Sequence, residues 1–285
     1  MNWIEGFGKV IKYIEENLDS SLDYEHMAGI LGYSTYHFQR LFMMLSGLPL
    51  SEYIRNRRLS EAAIELQAGQ NKVIDVAFKY GYSSPTSFNR AFKVLHGVTP
   101  SAVCNKDVMI KAFPPLSFDL KVKGAETINY RIAQMDAFRV VGKCCITTAE
   151  NGQCYRDIPA FWEKLIQSGG PGSILSLIDA QPTGLLGISD YNPEKSSTFN
   201  YFIAVSSSRP APEGMEEFNV PAASWAIFPH QKSEPTTIQA FQQRILMEWL
   251  PTSGFEFAKA PDVERYDDEG GMETWIPVIR VKQSQ

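Results

Sequence analysis

Two pairs of side chains carry the chemistry of base recognition: Gln39 with Arg40, and Asn89 with Arg90. A glutamine or asparagine amide can bond adenine N6 and N7 together, and an arginine fork can take guanine O6 and N7 or a phosphate. The pairs lie at matching places in a segment that the chain spells twice. Ala28-Gly29-Ile30-Leu31-Gly32-Tyr33-Ser34 leads to Phe38, Arg40, Phe42, Gly47 and Pro49, while Ala77-Phe78-Lys79-Tyr80-Gly81-Tyr82-Ser83 leads to Phe88, Arg90, Phe92, Gly97 and Pro100. A second chemistry belongs to Glu264 and Glu273, carboxylates in strand-like segments where buried acids are unexpected. On a strand Glu264 shares a face with Tyr266, and Glu273 with Trp275. A carboxylate with aromatic walls suits a lipophilic cation or a polar heterocycle.

Helices must present the first set. Ile4, Phe7, Val10, Ile11, Ile14 and Leu18 recur at helical spacing, giving an opening helix that ends near Asn17. Leu22 to Leu31 reads as a second helix, Gly32 as a tight turn, and Ser34 as the cap of a third helix over 35–46. A long helix over 50–66 joins this unit to its copy, Val73 to Tyr80 and Ser84 to Leu95, where Pro85 fits the first turn. Each copy is a helix-turn-helix, whose second helix enters the major groove. With Phe38, Leu41, Phe42 and Leu45 turned inward, the outward set is Thr35, Tyr36, Gln39, Arg40 and Met43; in the copy it is Pro85, Thr86, Asn89, Arg90 and Lys93. Lys93, Arg55, Arg57, Arg58 and Lys72 are expected to serve phosphates, which fix register without reading sequence. The plain alternative is a helical domain with solvated polar faces; the matched second copy weighs against it.

The net charge of −5 is unevenly spread. Residues 1–107 carry 11 Lys/Arg and 11 Asp/Glu, so the whole deficit falls beyond them. Within 34–96 eight Lys/Arg stand against four Asp/Glu, a balance of +4, so basic charge gathers at the repeats, as phosphate contact would want. Cys104, Cys144, Cys145 and Cys154 fit no zinc spacing and read as reduced thiols. Phe113-Pro114-Pro115 lies in a polar stretch, 107–126, read as a linker between a domain at 1–106 and one at 127–285. The second domain reads as strands and two helices. Tyr130 to Met135 and Phe138 to Thr147 are expected to form a hairpin; Ile158 to Gln167 and Ile238 to Leu250 are helices; Leu185 to Ser189, Phe199 to Ser206, Trp225 to His230, Val263 to Tyr266 and Thr274 to Val281 are further strands. An α+β domain with an antiparallel sheet follows, and its element order can be read as two related βαββ units.

These motifs carry two resemblances. Residues 1–105 resemble the AraC/XylS family of bacterial transcription regulators through Leu31-Gly32-Tyr33-Ser34, Phe38-Gln39-Arg40-Leu41-Phe42, Tyr80-Gly81-Tyr82 and Phe88-Asn89-Arg90-Ala91-Phe92-Lys93. The resemblance implies an all-α module of seven helices with two helix-turn-helix motifs. It places base-reading positions on Tyr36, Gln39, Arg40, Pro85, Thr86, Asn89 and Arg90; Pro85 offers no side-chain hydrogen bond. The C-terminal domain resembles the gyrase-inhibitor-like (GyrI-like) effector-binding domains through Trp249-Leu250-Pro251-Thr252-Ser253-Gly254, Pro261-Asp262-Val263-Glu264-Arg265-Tyr266 and Glu273-Thr274-Trp275-Ile276-Pro277-Val278. That implies a ligand pocket holding Glu264, with Glu273 and Trp275 near it and Trp162 on the opposite wall; Tyr201, Phe228 and Tyr266 are the further aromatic candidates. The expected protein is a multidomain cytoplasmic transcription regulator of small-molecule or multidrug-sensing type. Its expected partners are double-stranded DNA, a cationic or aromatic effector and RNA polymerase, with no membrane, cofactor, metal or catalytic residue. Two alternatives stay open: a hydrolase of strained alkylating compounds with an autoregulating DNA-binding domain, and a protein that sequesters another protein.

Overall fold

The computed structural model describes residues 3–69, 71–104, 107–117, 127–230 and 238–281. The rest of the expected linker, 118–126, lies outside the described residues. The described chain forms two compact units. One holds the residues up to Phe38 and the helices from Leu50 onward; the other holds Gln39–Pro49 and the residues that build the sheet.

The helical elements are α1 (Trp3–Glu16), α2 (Tyr24–Leu31), α3 (Thr35–Ser46), α4 (Leu50–Ala68), α5 (Val73–Lys79), α6 (Pro85–His96) and α7 (Pro100–Val103). Caps set their ends. Asp23 accepts from the Glu25 and His26 amides ahead of α2, and Ser84 accepts from the Ser87 amide ahead of α6. Gly32 and Gly81 hold φ of 73° and 83° in the two turns, a region that a β-carbon disfavours. Phe7, Val10 and Ile14 of α1 are buried, as are Val76, Ala77, Phe88 and Phe92 in the second helix-turn-helix. Along α4, Arg57 Nη1 donates to Phe113 O at 2.6 Å, and the Phe113 amide donates to Ser60 Oγ at 3.0 Å. The segment after α7 is therefore fastened to α4 at this point.

The second unit is built on β1 (Arg131–Met135), β2 (Phe138–Thr148), α8 (Cys154–Gln167), α9 (Gly170–Leu175), β3 (Leu185–Ser189), β4 (Thr198–Ser206), β5 (Glu216–Val220), β6 (Ala223–Pro229), α10 (Ile238–Arg244), α11 (Leu250–Ser253), β7 (Phe255–Phe257), β8 (Asp262–Tyr266) and β9 (Met272–Arg280). A π-helical turn, Ile245–Trp249, joins α10 to α11. The sheet order is β1-β6-β9-β8-β3-β4-β2-β5, with β7 also on β9. Every pairing is antiparallel. The segments β2–α8–β3–β4 and β6–α10–β8–β9 are two βαββ halves, and their middle strands β3 and β8 meet at the sheet centre. The expected β1–β2 hairpin is not formed. β1 pairs with β6, and β2 lies between β4 and β5.

Register assigns the faces. Gly187 stands opposite Glu264, and Glu264 opposite Thr274, so these residues share one face. Val263 stands opposite Ile188 and Trp275 on the other face. That second face carries a core of Leu186, Ile188, Phe202, Trp225, Val263 and Trp275. The first is packed by Leu165 and Ile174 from α8 and α9 against Leu185, Tyr201, Ile203 and Val205. The four cysteines form no disulfide, and burial pushes the Cys144 and Cys145 thiols up to about 12 and about 11.

Candidate functional site

The α6 helix separates its residues cleanly. Phe88, Phe92 and His96 face inward and are buried, while Thr86, Asn89, Arg90 and Lys93 are exposed together with Pro85. An amide, a guanidinium and an ammonium therefore line one solvent-facing stripe that runs from the first turn of α6 at Thr86 to its last at Lys93. The α3 helix departs from expectation. Gln39 is half-buried, but Tyr36 is 2% and Arg40 is 1% exposed, so neither lies on an open face here. The Arg40 guanidinium is ion-paired with Asp262, donates to Ala260 O at 3.3 Å and stacks 4.7 Å from the Phe257 ring centre. Met43, also read as outward, packs with Ala149, Cys154 and Phe199. For Arg40 and Met43 the reason is that α3 from Gln39 onward belongs to the unit that holds the sheet. Among the expected phosphate contacts, Arg57 is buried and holds Glu15 and Glu61 at 2.6 and 2.8 Å, and Arg58 donates to Leu18 O and Ser20 O. Helix-packing work, not phosphate binding, occupies both.

The sheet unit encloses a cavity of about 350 Å³ over the face that carries Glu264. Glu264, Tyr201, Tyr266 and Trp162 all line it, with Gln242, Asp262 and Arg40. The Trp162 indole N–H on α8 donates to the Tyr201 hydroxyl at 2.9 Å. Tyr201 in turn donates to Glu264 Oε2 at 3.4 Å, and Tyr266 donates to the same oxygen at 3.0 Å. The Trp162 and Tyr266 rings meet edge to face, 5.1 Å between centres. Burial pushes the Glu264 carboxyl above the usual glutamate range, and the two tyrosine hydroxyls pull it partly back by bonding the ionised form. The same burial, with the nearby Glu264 charge, raises both tyrosines. Gly187 makes room for this set. A β-carbon there would run into the Tyr201 hydroxyl and stand 3.3 Å from Glu264 Oε2.

Three expected pocket residues do not line the cavity. Glu273 and Trp275 belong to the opposite sheet face, because Glu264 pairs with Thr274 between them. Trp275 is buried in the core there, its indole N–H donating to Glu273 Oε2 at 2.9 Å, while Glu273 holds Arg131 at 2.9 Å. Phe228 shares the Glu264 face but lies on β6, beyond β9, where the Trp249 ring covers it edge-on at 4.9 Å between centres. Conversely, Asp262, Gln242 and Gly187 entered no sequence expectation as pocket residues. Only Asp262 left a signal, since its spacing of two from Glu264 puts both acids on one face of a strand.

An exposed polar stripe on the second helix of a helix-turn-helix, in a chain that also holds an acidic, aromatic cavity on an antiparallel sheet, describes the class of DNA-binding regulators that carry a small-molecule-binding domain. Family comparison agrees in both halves. The chain belongs to the AraC-type transcription regulators and carries a GyrI-like small molecule binding domain, matched over residues 128–279, with a helix-turn-helix domain matched over 27–106. The Transposon Tn10 TetD protein of Escherichia coli is 45% identical over 92 residues, which is 32% of this chain and 67% of that protein. The HTH-type transcriptional activator AarP of Providencia stuartii is 44% identical over 33% of this chain and 69% of its own length. On the sheet side, the structure of SAV2435 bound to tetraphenylphosphonium is 19% identical, with a TM-score of 0.47 over 53% of this chain and 94% of that one. Among the described residues no helix is long and apolar enough to cross a membrane.

Proposed function

We propose that the protein reads a specific DNA sequence and binds an aromatic, cationic effector in the cavity around Glu264. One observation carries the ligand reading: a half-buried carboxylate, held by two tyrosine hydroxyls, opens onto a cavity walled by Trp162, Tyr201 and Tyr266. Buried charge is expensive unless matched, and a cation with a delocalised ring system matches both the carboxylate and the aromatic faces. The cavity of about 350 Å³ lies at the small end of ligand sites. On the DNA side, Thr86, Asn89 and Arg90, with Gln39, supply base contacts, and Lys93 supplies a phosphate contact.

The test is calorimetric titration of the full chain with 1-methyl-4-phenylpyridinium. Stoichiometric binding is expected, and Glu264→Gln, which keeps shape and hydrogen bonding but removes the charge, is expected to abolish it. Binding unchanged in that variant refutes the site. The same carboxylate with its tyrosine hydroxyls also favours a second reading, hydrolysis of a strained alkylating compound. Turnover of a cyclopropane-type alkylator that stops in Glu264→Gln would establish it, and stoichiometric binding without turnover supports the sensor.

A further inference from the structure

The cavity holds two acids, and only one is open. Asp262 and Glu264 lie on one face of β8, two residues apart, which is roughly 6.6 Å along a strand. Among the described residues, the donors that Glu264 meets in the cavity are neutral: Tyr201, Tyr266 and, at 3.5 Å, the Gln242 amide. Asp262 is already matched by a positive charge, the buried Arg40 guanidinium, which is further held by Ala260 O and the Phe257 ring. Arg40 also lines the cavity. From this geometry we infer that Arg40 is a built-in counter-cation that sets the charge of the ligand: by occupying Asp262 it leaves one carboxylate for the effector and selects a monocation over a dication. The inference rests on the proposed cation site at Glu264 and assigns the valence of its ligand. In a water-poor site a second ligand charge would find Asp262 taken and the guanidinium repelling it. The pairing also lets one strand of the pocket hold two ionised acids, since two unmatched carboxylates this close would not both ionise.

The test uses two ligands of nearly equal size and shape, 1-methyl-4-phenylpyridinium and the dication 1,1′-dimethyl-4,4′-bipyridinium, titrated into the full chain. The wild type is expected to prefer the monocation by about tenfold or more, a difference of about 1.4 kcal/mol. Arg40→Met opens Asp262 and is expected to erase or reverse that preference. Asp262→Asn leaves the guanidinium facing Glu264 and is expected to weaken the monocation about tenfold or more. The double variant Arg40→Met with Asp262→Asn, again with one open acid, is expected to restore the wild-type preference. A merely structural role for Arg40 predicts parallel losses for both ligands and no restoration, and that result overturns the inference. Should Arg40→Met fail to fold, the Asp262→Asn variant and the double variant decide. Failure of the wild type to bind either cation, or binding indifferent to Glu264→Gln, would instead sink the site itself.

Discussion

Glu264 shows how one side chain ties fold stability to ligand charge. Burial raises its pKa, so the folded state favours the protonated acid. The stabilising contribution of that shift is fully present below the unfolded value and is lost as pH rises through the folded one. Cation binding runs the other way, because it needs the ionised form. Affinity for 1-methyl-4-phenylpyridinium should therefore rise with pH across a window displaced above the ordinary glutamate range. Thermal melts should show Glu264→Gln gaining on the wild type over the same window. Tyr201, Tyr266, Gln242, Asp262 and Arg40 surround the acid, and the two tyrosines are raised, so neither competes in this range. A pH-independent affinity would place the cation elsewhere. Arg57 makes the contrasting case of a basic residue whose role is folding. Arg57→Met should destabilise the helical unit by roughly 2 kcal/mol, discounted from the fully buried case because Glu15 and Glu61 reach solvent. Urea unfolding measures that loss. The salt dependence of DNA binding should stay as in the wild type, whereas a phosphate contact would lower its slope.

At the scale of elements, α6 is the helix to which the proposed function gives the reading of DNA. Its exposed stripe assigns separate tasks to neighbouring side chains. Asn89→Ala and Arg90→Ala should each lose roughly 1–3 kcal/mol on the specific site and little on random duplex. Lys93→Ala should weaken both alike and lower the salt slope by about 1. Competition binding at several salt concentrations separates these patterns, and equal losses on both duplexes from Asn89 or Arg90 would remove their reading role. The helices were legible in sequence because caps and apolar stripes are local; α3 is observed over Thr35–Ser46 as its Ser34 cap and Gly47 stop require. What the stripe could not tell was that Tyr36 and Arg40, polar enough to face water, would be buried. Strand partners were less legible than strands. Segments β1 and β2, adjacent in sequence, look like a hairpin, yet pairing is decided by the whole sheet, and each joins a distant strand. The same limit governs Glu273. Its shared face with Trp275 followed from spacing, but its face relative to Glu264 depends on the β8–β9 register, and a shift of one residue exchanges the faces. The strands β5 and β7 and the helix α9, five, three and six residues long, carry too little periodicity to be seen alone.

The whole molecule adds a constraint that neither site imposes alone. A regulator must bind its effector with different affinity in its DNA-competent and DNA-incompetent states, since a ligand indifferent to the two shifts nothing. Coupling is reciprocal: if the cation changes DNA affinity by some factor, DNA changes cation affinity by the same factor. A factor of about 5–150 is the usual range for such coupling. Measured on the full chain at fixed salt, DNA affinity with and without 1-methyl-4-phenylpyridinium should give one factor, and cation affinity with and without the specific duplex should return it. Fixed salt matters because the phosphate term alone can move DNA affinity by orders of magnitude. Glu264→Gln should remove the factor from both measurements by removing the ligand. Arg90→Ala should weaken the duplex while leaving affinity for the cation in the absence of DNA as it was, because its side chain is exposed on α6 and does not line the cavity. Two unequal factors would mean that the cation also binds the duplex or a second place on the chain. A factor of one in both directions, with tight binding of each partner, would make the cavity a binding site without a regulatory role, and the regulation would then have to enter through another ligand.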